Sequence, residues 1–181
     1  MSDKRDLFNE EDIRRLYSAI RARIASDRAL TALHIGADQT IVATGTDNKI
    51  AAVLVLPIGS EKTGLEFFHH APPTPEEVEH AINVVEDEMS RANRMTAAES
   101  LLYTADNSIR EIAHLADVPD RPEIVLNRDA VETLFSRLAT LSMGYPAAKD
   151  DLRADASFSA TLLILREFMH HLGFTSINVT W

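Results

Sequence analysis

Apolar residues recur at helical spacing near the beginning of the chain and predict a first helix over residues 10–27. Asn9 stands at the N-cap position and Asp12 at N3, which together make a capping box. The apolar side chains fall on one face, so the helix is expected to pack against the rest of the protein along a stripe formed by Ile13, Leu16, Tyr17, Ile20 and Ile24.

A strand-like pattern follows the helix. Turn formers separate three apolar runs, which predicts an antiparallel meander with strands at about 31–36, 40–45 and 50–57. The third run is apolar throughout and does not alternate, so we expect it in the centre of the sheet with both faces covered. A fourth run, residues 64–70, is expected to join the same sheet.

The second half of the chain alternates between helical and strand-like segments. Thr74 as the cap, Pro75 at N1 and Glu77 at N3 predict a helix that runs to about residue 91. A polar stretch, 147–155, is the best candidate for a mobile linker. The other predicted elements are a strand at 100–104, a helix at 107–116, a strand at 124–126, helices at 129–142 and 157–172, and a strand at 176–181.

These elements predict an α+β or mixed α/β fold. Its centre is a five- or six-stranded sheet with an N-terminal antiparallel meander, and helices pack on that sheet. We divide the chain into an N-terminal helical arm, 1–28, and a single domain, 29–181.

Composition and charge exclude several classes of function. The chain has 181 residues, 18 basic and 28 acidic, and a net charge of −10, which argues against nucleic acid and anionic membranes as partners. It has no cysteine, so disulfides, thiolate metal sites and cysteine nucleophiles are ruled out. The N-terminus leads into no apolar signal segment, and a cytoplasmic location is expected.

Two segments invite comparison with phosphate-binding loops. Residues 59–63 contain a Lys-Thr pair after a strand, but Glu61 precedes the lysine where glycine is needed, and the next residues look like strand rather than helix. Residues 33–41 place a glycine turn between two strands, which loosely resembles the first phosphate loop of actin-like and sugar-kinase ATPases. In that superfamily an aspartate normally stands where this chain has His34. The resemblance covers fewer than ten residues, and we interpret the segment as a β-hairpin turn.

Four of the seven histidines have a glutamate three residues earlier: Glu66/His69, Glu77/His80, Glu111/His114 and Glu167/His170. On a helix this spacing puts both side chains on one face, and paired copies ligate two-metal sites in helical bundles. Helical phase instead places His80 and His114 opposite the apolar stripes, and Glu167 and His171 on the far side of the last helix. We therefore predict solvated neighbours and neither metal nor cofactor, with a surface or interfacial metal as the alternative.

A candidate ligand site combines two loops. His69 and His70 end one predicted strand, whereas Asp106, Asn107 and Arg110 lie where another strand passes into a helix. If those strands are parallel, both loops lie at their carboxyl ends, where open α/β sheets bind ligands. The simpler explanation is a turn followed by a helix that Asp106 caps.

A candidate interaction surface lies on the first helix, which carries Arg14, Arg15 and Arg21. The stretch 61–90 contains eight acidic residues and one lysine, so it can dock a second copy of the chain or a basic partner protein. From these patterns we predict a non-catalytic interaction or ligand-binding domain that forms a homo-oligomer. The alternative is a small-molecule or metal-dependent enzyme with its site at the His69/His70 and Asp106 loops.

Overall fold

A computed structural model describes residues 8–24, 26–93, 99–145 and 152–180. The strands in these ranges are β1 (Leu30–Ile35), β2 (Thr40–Thr46), β3 (Lys49–Leu56), β4 (Leu101–Thr104), β5 (Ile124–Asn127) and β6 (Ser176–Val179). The helices are α1 (Glu10–Arg21), α2 (Ser60–Phe67), α3 (Pro75–Ala92), α4 (Asn107–Leu115), α5 (Arg128–Ser142) and α6 (Ala156–His171).

The strands form one mixed sheet in the order β3-β2-β1-β4-β6-β5. The β1–β2 and β2–β3 pairs are antiparallel, which confirms the predicted meander. Strands β1, β4 and β6 are parallel to one another, and β5 closes the far edge antiparallel to β6. The prediction of a mixed α/β fold with a five- or six-stranded sheet is confirmed.

Alternate residues of the strands face two separate cores. On one face, helices α2 to α6 cover the larger core, which contains Leu33 of β1 and Leu102 of β4. On the other face, α1 covers a smaller core through Ile13, Tyr17 and Ile20, which are almost completely buried. The division of the chain into a helical arm, 1–28, and a single domain, 29–181, stays a prediction.

Local helix signals are confirmed where the sequence carries them most clearly. Asn9 caps α1 and Thr74 caps α3, each with a complete capping box. Helix α1 nevertheless ends at Arg21, short of the predicted residue 27. The reason is that the buried Arg21 guanidinium donates to the backbone oxygens of Ser26 and Arg28, which holds the following chain in a non-helical path.

The prediction that the third apolar run lies in the centre of the sheet is wrong, because β3 is an edge strand. Its residues are mostly half-buried or exposed. Ile50 and Val53 pack against the α1 core, while Leu54 packs against the larger core. Apolar side chains are therefore needed on both faces of β3, and the run cannot alternate even though, in the part of the chain that the structure describes, β3 has a neighbouring strand on one side only.

The predicted strand at 64–70 is instead helix α2 and the turn after it. The backbone N–H groups of Ser60, Glu61 and Lys62 donate to carbonyl oxygens of the β1–β2 turn at 2.9–3.0 Å. Gly64 fits against the backbone of Ala156 at the start of α6, where a Cβ would come within 2.9 Å. These long-range contacts stabilise a helix in a segment whose side chains favour a strand.

The later elements lie within two residues of their predicted bounds. Most of the polar stretch 147–155 lies outside the described residues. No helix in the described ranges combines the length and the apolar content that crossing a membrane requires.

Candidate active site

A histidine and an aspartate meet where the parallel strands β1 and β4 end side by side. His34 is the next-to-last residue of β1, and Asp106 follows β4 by two residues. Nδ1 of His34 lies 2.6 Å from Oδ1 of Asp106, and the second carboxylate oxygen accepts the backbone N–H of Ile35 at 2.8 Å. Both Asp106 oxygens are therefore engaged with β1, and the carboxylate fixes the orientation of the ring.

The direction of the hydrogen bond between Asp106 and His34 determines which nitrogen of the His34 ring is available for chemistry. Asp106 is buried, whereas the His34 side chain is 20% exposed. An ionised carboxylate only accepts hydrogen bonds, so it holds the ring proton on Nδ1 and leaves Nε2 as the basic atom. The same relation between carboxylate and imidazole activates the histidine of hydrolytic triads.

Neighbouring residues hold the pair in place. Thr104 Oγ1 accepts the backbone N–H of Asp106 at 3.1 Å, and the ring of Phe8 stacks on His34. A Cβ at Gly36 would lie 3.2 Å from Nε2 of His34 and 2.9 Å from the backbone oxygen of Gln39. A glycine at position 36 thus allows the tight turn and the close approach of the ring.

Asp106 stands at the N-cap of α4, but its side chain makes no capping hydrogen bond. Capping was the simpler explanation of this residue, and it is wrong. The two carboxylate oxygens are turned to His34 and to the backbone of Ile35, since β1 lies directly beside β4.

The segment 59–63 is not a phosphate loop. A helix, α2, does begin there, contrary to our expectation of a strand. However, its first N–H groups bond to the β1–β2 turn, and Lys62 Nζ donates to the backbone oxygen of Pro57 at 2.7 Å. The groups that would hold a phosphate are already used within the protein.

The histidine pair at 69 and 70 follows α2 rather than a strand. Glu77 Oε1 accepts the backbone N–H of His69 at 3.1 Å and lies 2.8 Å from Nδ1 of His70. Burial by itself would raise the pKa of Glu77, but hydrogen bonds from the His70 ring and from the backbone of Thr74 and His69 lower it to about 2. Both histidines are exposed, and their hydrogen bonds are made with the start of α3, not with Asp106.

The two other candidate ligand residues, Asn107 and Arg110, also lie in surroundings that differ from those of the two histidines. Asn107 is exposed at the start of α4. Arg110 is buried and donates to Oδ1 of Asp120 at 2.8 Å and to the backbone oxygen of Arg121 at 3.2 Å. Arg110 therefore fastens the segment between α4 and β5.

The three arginines of α1 differ in exposure. Arg14 and Arg15 are exposed and pair with acidic residues of the same helix. Arg21 is buried, contrary to the expectation that it presents its charge at a docking surface. It is used instead to hold the chain that follows α1.

The polar face of α6 is also more buried than we predicted. Glu167, expected on the solvent side, is 1% exposed, because α3 and α5 pack against that face. Its neighbour is His171, one helical turn on, rather than the expected His170. Burial raises the pKa of Glu167, an effect that Arg166 and His171 partly oppose and Glu86 reinforces.

The sequence alone does not single out His34 as a candidate site residue. The available signal was its position at the end of a strand, directly before a glycine turn. What the sequence does not display is the partner, because Asp106 is 72 positions away.

No family model matches this chain, and no curated protein matches it. Solved structures do. A Ppx/GppA enzyme from Aquifex aeolicus has a TM-score of 0.76 and 21% identity over 94% of this chain and 59% of its own. An exopolyphosphatase from Cytophaga hutchinsonii has a TM-score of 0.69 and 16% identity over 93% and 58%, respectively. The chain thus spans slightly under three fifths of the length of these proteins.

These similarities show the fold. They also contradict our prediction of a non-catalytic interaction domain, because the proteins that share the fold are enzymes. The alternative, a small-molecule or metal-dependent enzyme, agrees better with this comparison. Of the two loops proposed for that alternative, the structure joins the Asp106 loop to His34. The chain is similar in fold to Ppx/GppA phosphatases and exopolyphosphatases.

Proposed function

We propose that this chain is a hydrolase domain that cleaves phosphoanhydride bonds, with His34 as general base and Asp106 as its positioning residue. The observation that carries the proposal is the 2.6 Å contact between Nδ1 of His34 and Oδ1 of Asp106 at the carboxyl ends of two parallel strands. Ligands of open α/β sheets bind at this edge.

The reaction follows from the state of the His34 ring. Nε2 takes a proton from a water molecule while the water oxygen forms a bond to the terminal phosphorus. The bond between that phosphorus and the bridging oxygen breaks, and the electron pair leaves with the shortened phosphate chain. Asp106 stabilises the resulting imidazolium, which then returns its proton to the leaving group or to solvent.

Two observations support phosphoanhydrides as the substrate class. Structures with the same fold are described as an exopolyphosphatase and as a Ppx/GppA phosphatase, and polyphosphate is a chain of phosphoanhydride bonds. The second is the Gly36 turn beside His34, which is a β-hairpin turn but belongs to the segment that resembles a phosphate loop of actin-like ATPases, with His34 in place of the usual aspartate. A fold alone does not determine an activity, so the proposal depends on the His34–Asp106 pair.

The test is phosphate release by the purified full chain from inorganic polyphosphate, pyrophosphate and a nucleoside triphosphate, with magnesium present. We expect release from at least one of these. His34→Gln should lower kcat about 10²–10⁴-fold, the usual contribution of a general base. Asp106→Asn should lower kcat with little change in KM, because it acts through His34 and not on the substrate.

His80→Gln is the matched control, since His80 is exposed on α3 and lies outside the pair. It should keep the wild-type rate. A wild-type chain that releases no phosphate from any of the three substrates contradicts the proposal. So does a His34→Gln protein that retains the wild-type rate, because the activity then comes from another site or from a contaminant.

A further inference from the structure

Three metal-ligating side chains converge between α3 and α6, on the side of the sheet that carries the larger core. They are Glu86 of α3 and Glu167 and His171 of α6, and their ligand atoms all lie within 4.8 Å of one another. Nε2 of His171 is 3.2 Å from Oε2 of Glu167 and 3.5 Å from Oε1 of Glu86. We propose that these three side chains form a site for a divalent transition-metal ion, with zinc as the best fit.

The spacing of the donor atoms supports zinc. Four ligand atoms around a tetrahedral zinc ion, with bonds of about 2.0–2.2 Å, lie roughly 3.3–3.5 Å from one another. The two nitrogen–oxygen separations at this cluster are close to that range. Three protein ligands leave a fourth position for water, and an imidazole among the donors favours zinc, cobalt or nickel over calcium or magnesium.

The state of His171 is a second and independent observation. Its Nε2 atom is buried and makes no hydrogen bond of acceptable geometry with any residue that the structure describes, although two carboxylate oxygens are nearby. A buried nitrogen without a hydrogen bond is costly. An ion placed among the three donors would provide the missing partner.

The surroundings of Glu167 leave one of its oxygens for the ion. Arg166 pairs with Oε1 of Glu167, and Nε of Arg166 donates a 2.7 Å hydrogen bond to Oε2 of Glu132 on α5. Oε2 remains directed at His171. This arrangement orients the ligand from outside the cluster, as neighbouring residues do in protein metal sites.

Charge also favours a cation. Three carboxylates lie in or beside the cluster together with one arginine, Arg166. They belong to Glu86, Glu132 and Glu167. His171 lies in the last turn of α6, where the helix dipole is negative. Glu167 is buried, but the side chains of Glu86 and His171 are partly exposed, so the cluster lies near the protein surface.

The experiment uses the full chain, with any affinity tag removed and metal extracted by a chelator. Zn²⁺ binding is measured by calorimetry, and Co²⁺ binding by the visible absorption of a tetrahedral ion. We expect one ion per chain and a higher melting temperature with Zn²⁺. His171→Gln and Glu86→Gln should each weaken binding at least about tenfold, and circular dichroism checks that both variants fold.

His170→Gln is the matched control, because His170 is adjacent in sequence but pairs with Glu132. It should bind like the wild type. Absence of Zn²⁺ and Co²⁺ binding by the wild-type chain overturns the proposal, and His171 is then only an ion-pair partner of the two glutamates. Binding that survives both His171→Gln and Glu86→Gln, or that is lost equally in His170→Gln, also overturns it. Neither result depends on phosphate release, so this site and the proposed activity are tested separately.

Discussion

Phe8 stacks on His34 with ring centroids 3.8 Å apart and an angle of 30° between the rings. This contact covers one face of the imidazole and contributes to its low exposure. Phe8→Ala should therefore increase the rate at which diethyl pyrocarbonate modifies His34, measured by mass spectrometry of the digested protein. The exposed His80 in the same digest provides the reference and should react at one rate in both proteins. Equal rates at His34 in the variant and the wild type would show that Phe8 does not shield the ring.

Glu77 should make stability depend on pH in the acid range. Its pKa is lowered from the ordinary 4.5 to about 2 in the folded chain, so its stabilising contribution is complete above 4.5 and is lost as the pH falls towards 2. Glu77→Gln should cost about 0.3–1 kcal/mol near neutral pH, because glutamine can still complete the capping box but lacks the negative charge that is favourable at a helix N-terminus.

The measurement is the free energy of unfolding in urea, from neutral pH downwards. The difference between wild type and Glu77→Gln should shrink below pH 4.5. Glu79→Gln, an exposed change on the same helix, should show no such trend. A difference that stays constant over the whole range would mean that the Glu77 carboxylate is not held in its ionised form.

Gly59→Ala should destabilise the protein by about 1–3 kcal/mol, the usual cost of overpacking. A Cβ at this position would lie 2.5 Å from the backbone oxygen of Ala37 and would push α2 away from the β1–β2 turn. Urea unfolding measures the change. Leu65→Ala on the exposed side of α2 is the control and should stay within about 0.5 kcal/mol. A harmless Gly59→Ala would mean that the turn and the helix separate easily.

Leu165→Ala should cost about 2–5 kcal/mol, because the side chain is fully buried in the larger core. Val125→Ala on the half-exposed strand β5 should cost much less. His171 is unsuitable as a surface control, since it lies against the buried Glu167. Similar losses at Leu165 and Val125 would show that α6 does not form the centre of the core.

The features that the sequence predicts well are local ones. Asn9 and Thr74 satisfy helix N-termini within three residues of themselves, and the apolar stripe of α1 requires only helical periodicity. The meander follows from turn formers between short apolar runs. Such signals lie in neighbouring residues, so they can be interpreted without knowledge of long-range contacts. The structure confirms them.

The features that the sequence does not reveal depend on distant contacts. The position of β3 at the sheet edge is a matter of strand order, and helix α2 forms because the β1–β2 turn accepts its first N–H groups. The pairing of His34 with Asp106 depends on β1 lying beside β4. Helical phase alone placed Glu167 in solvent, because it contains no information about α3 and α5 packing on the same face.

The place of β6 between β4 and β5 has a consequence for synthesis on the ribosome. Among the strands in the described ranges, β5 is hydrogen-bonded to β6 alone, so it has none of them to pair with until residues 176–179 have left the exit tunnel. Strands β1 to β3 pair between neighbours in the chain and are free to form their hairpins earlier. The nascent chain should therefore acquire protection from proteolysis in two stages, with the half that contains β5 protected last.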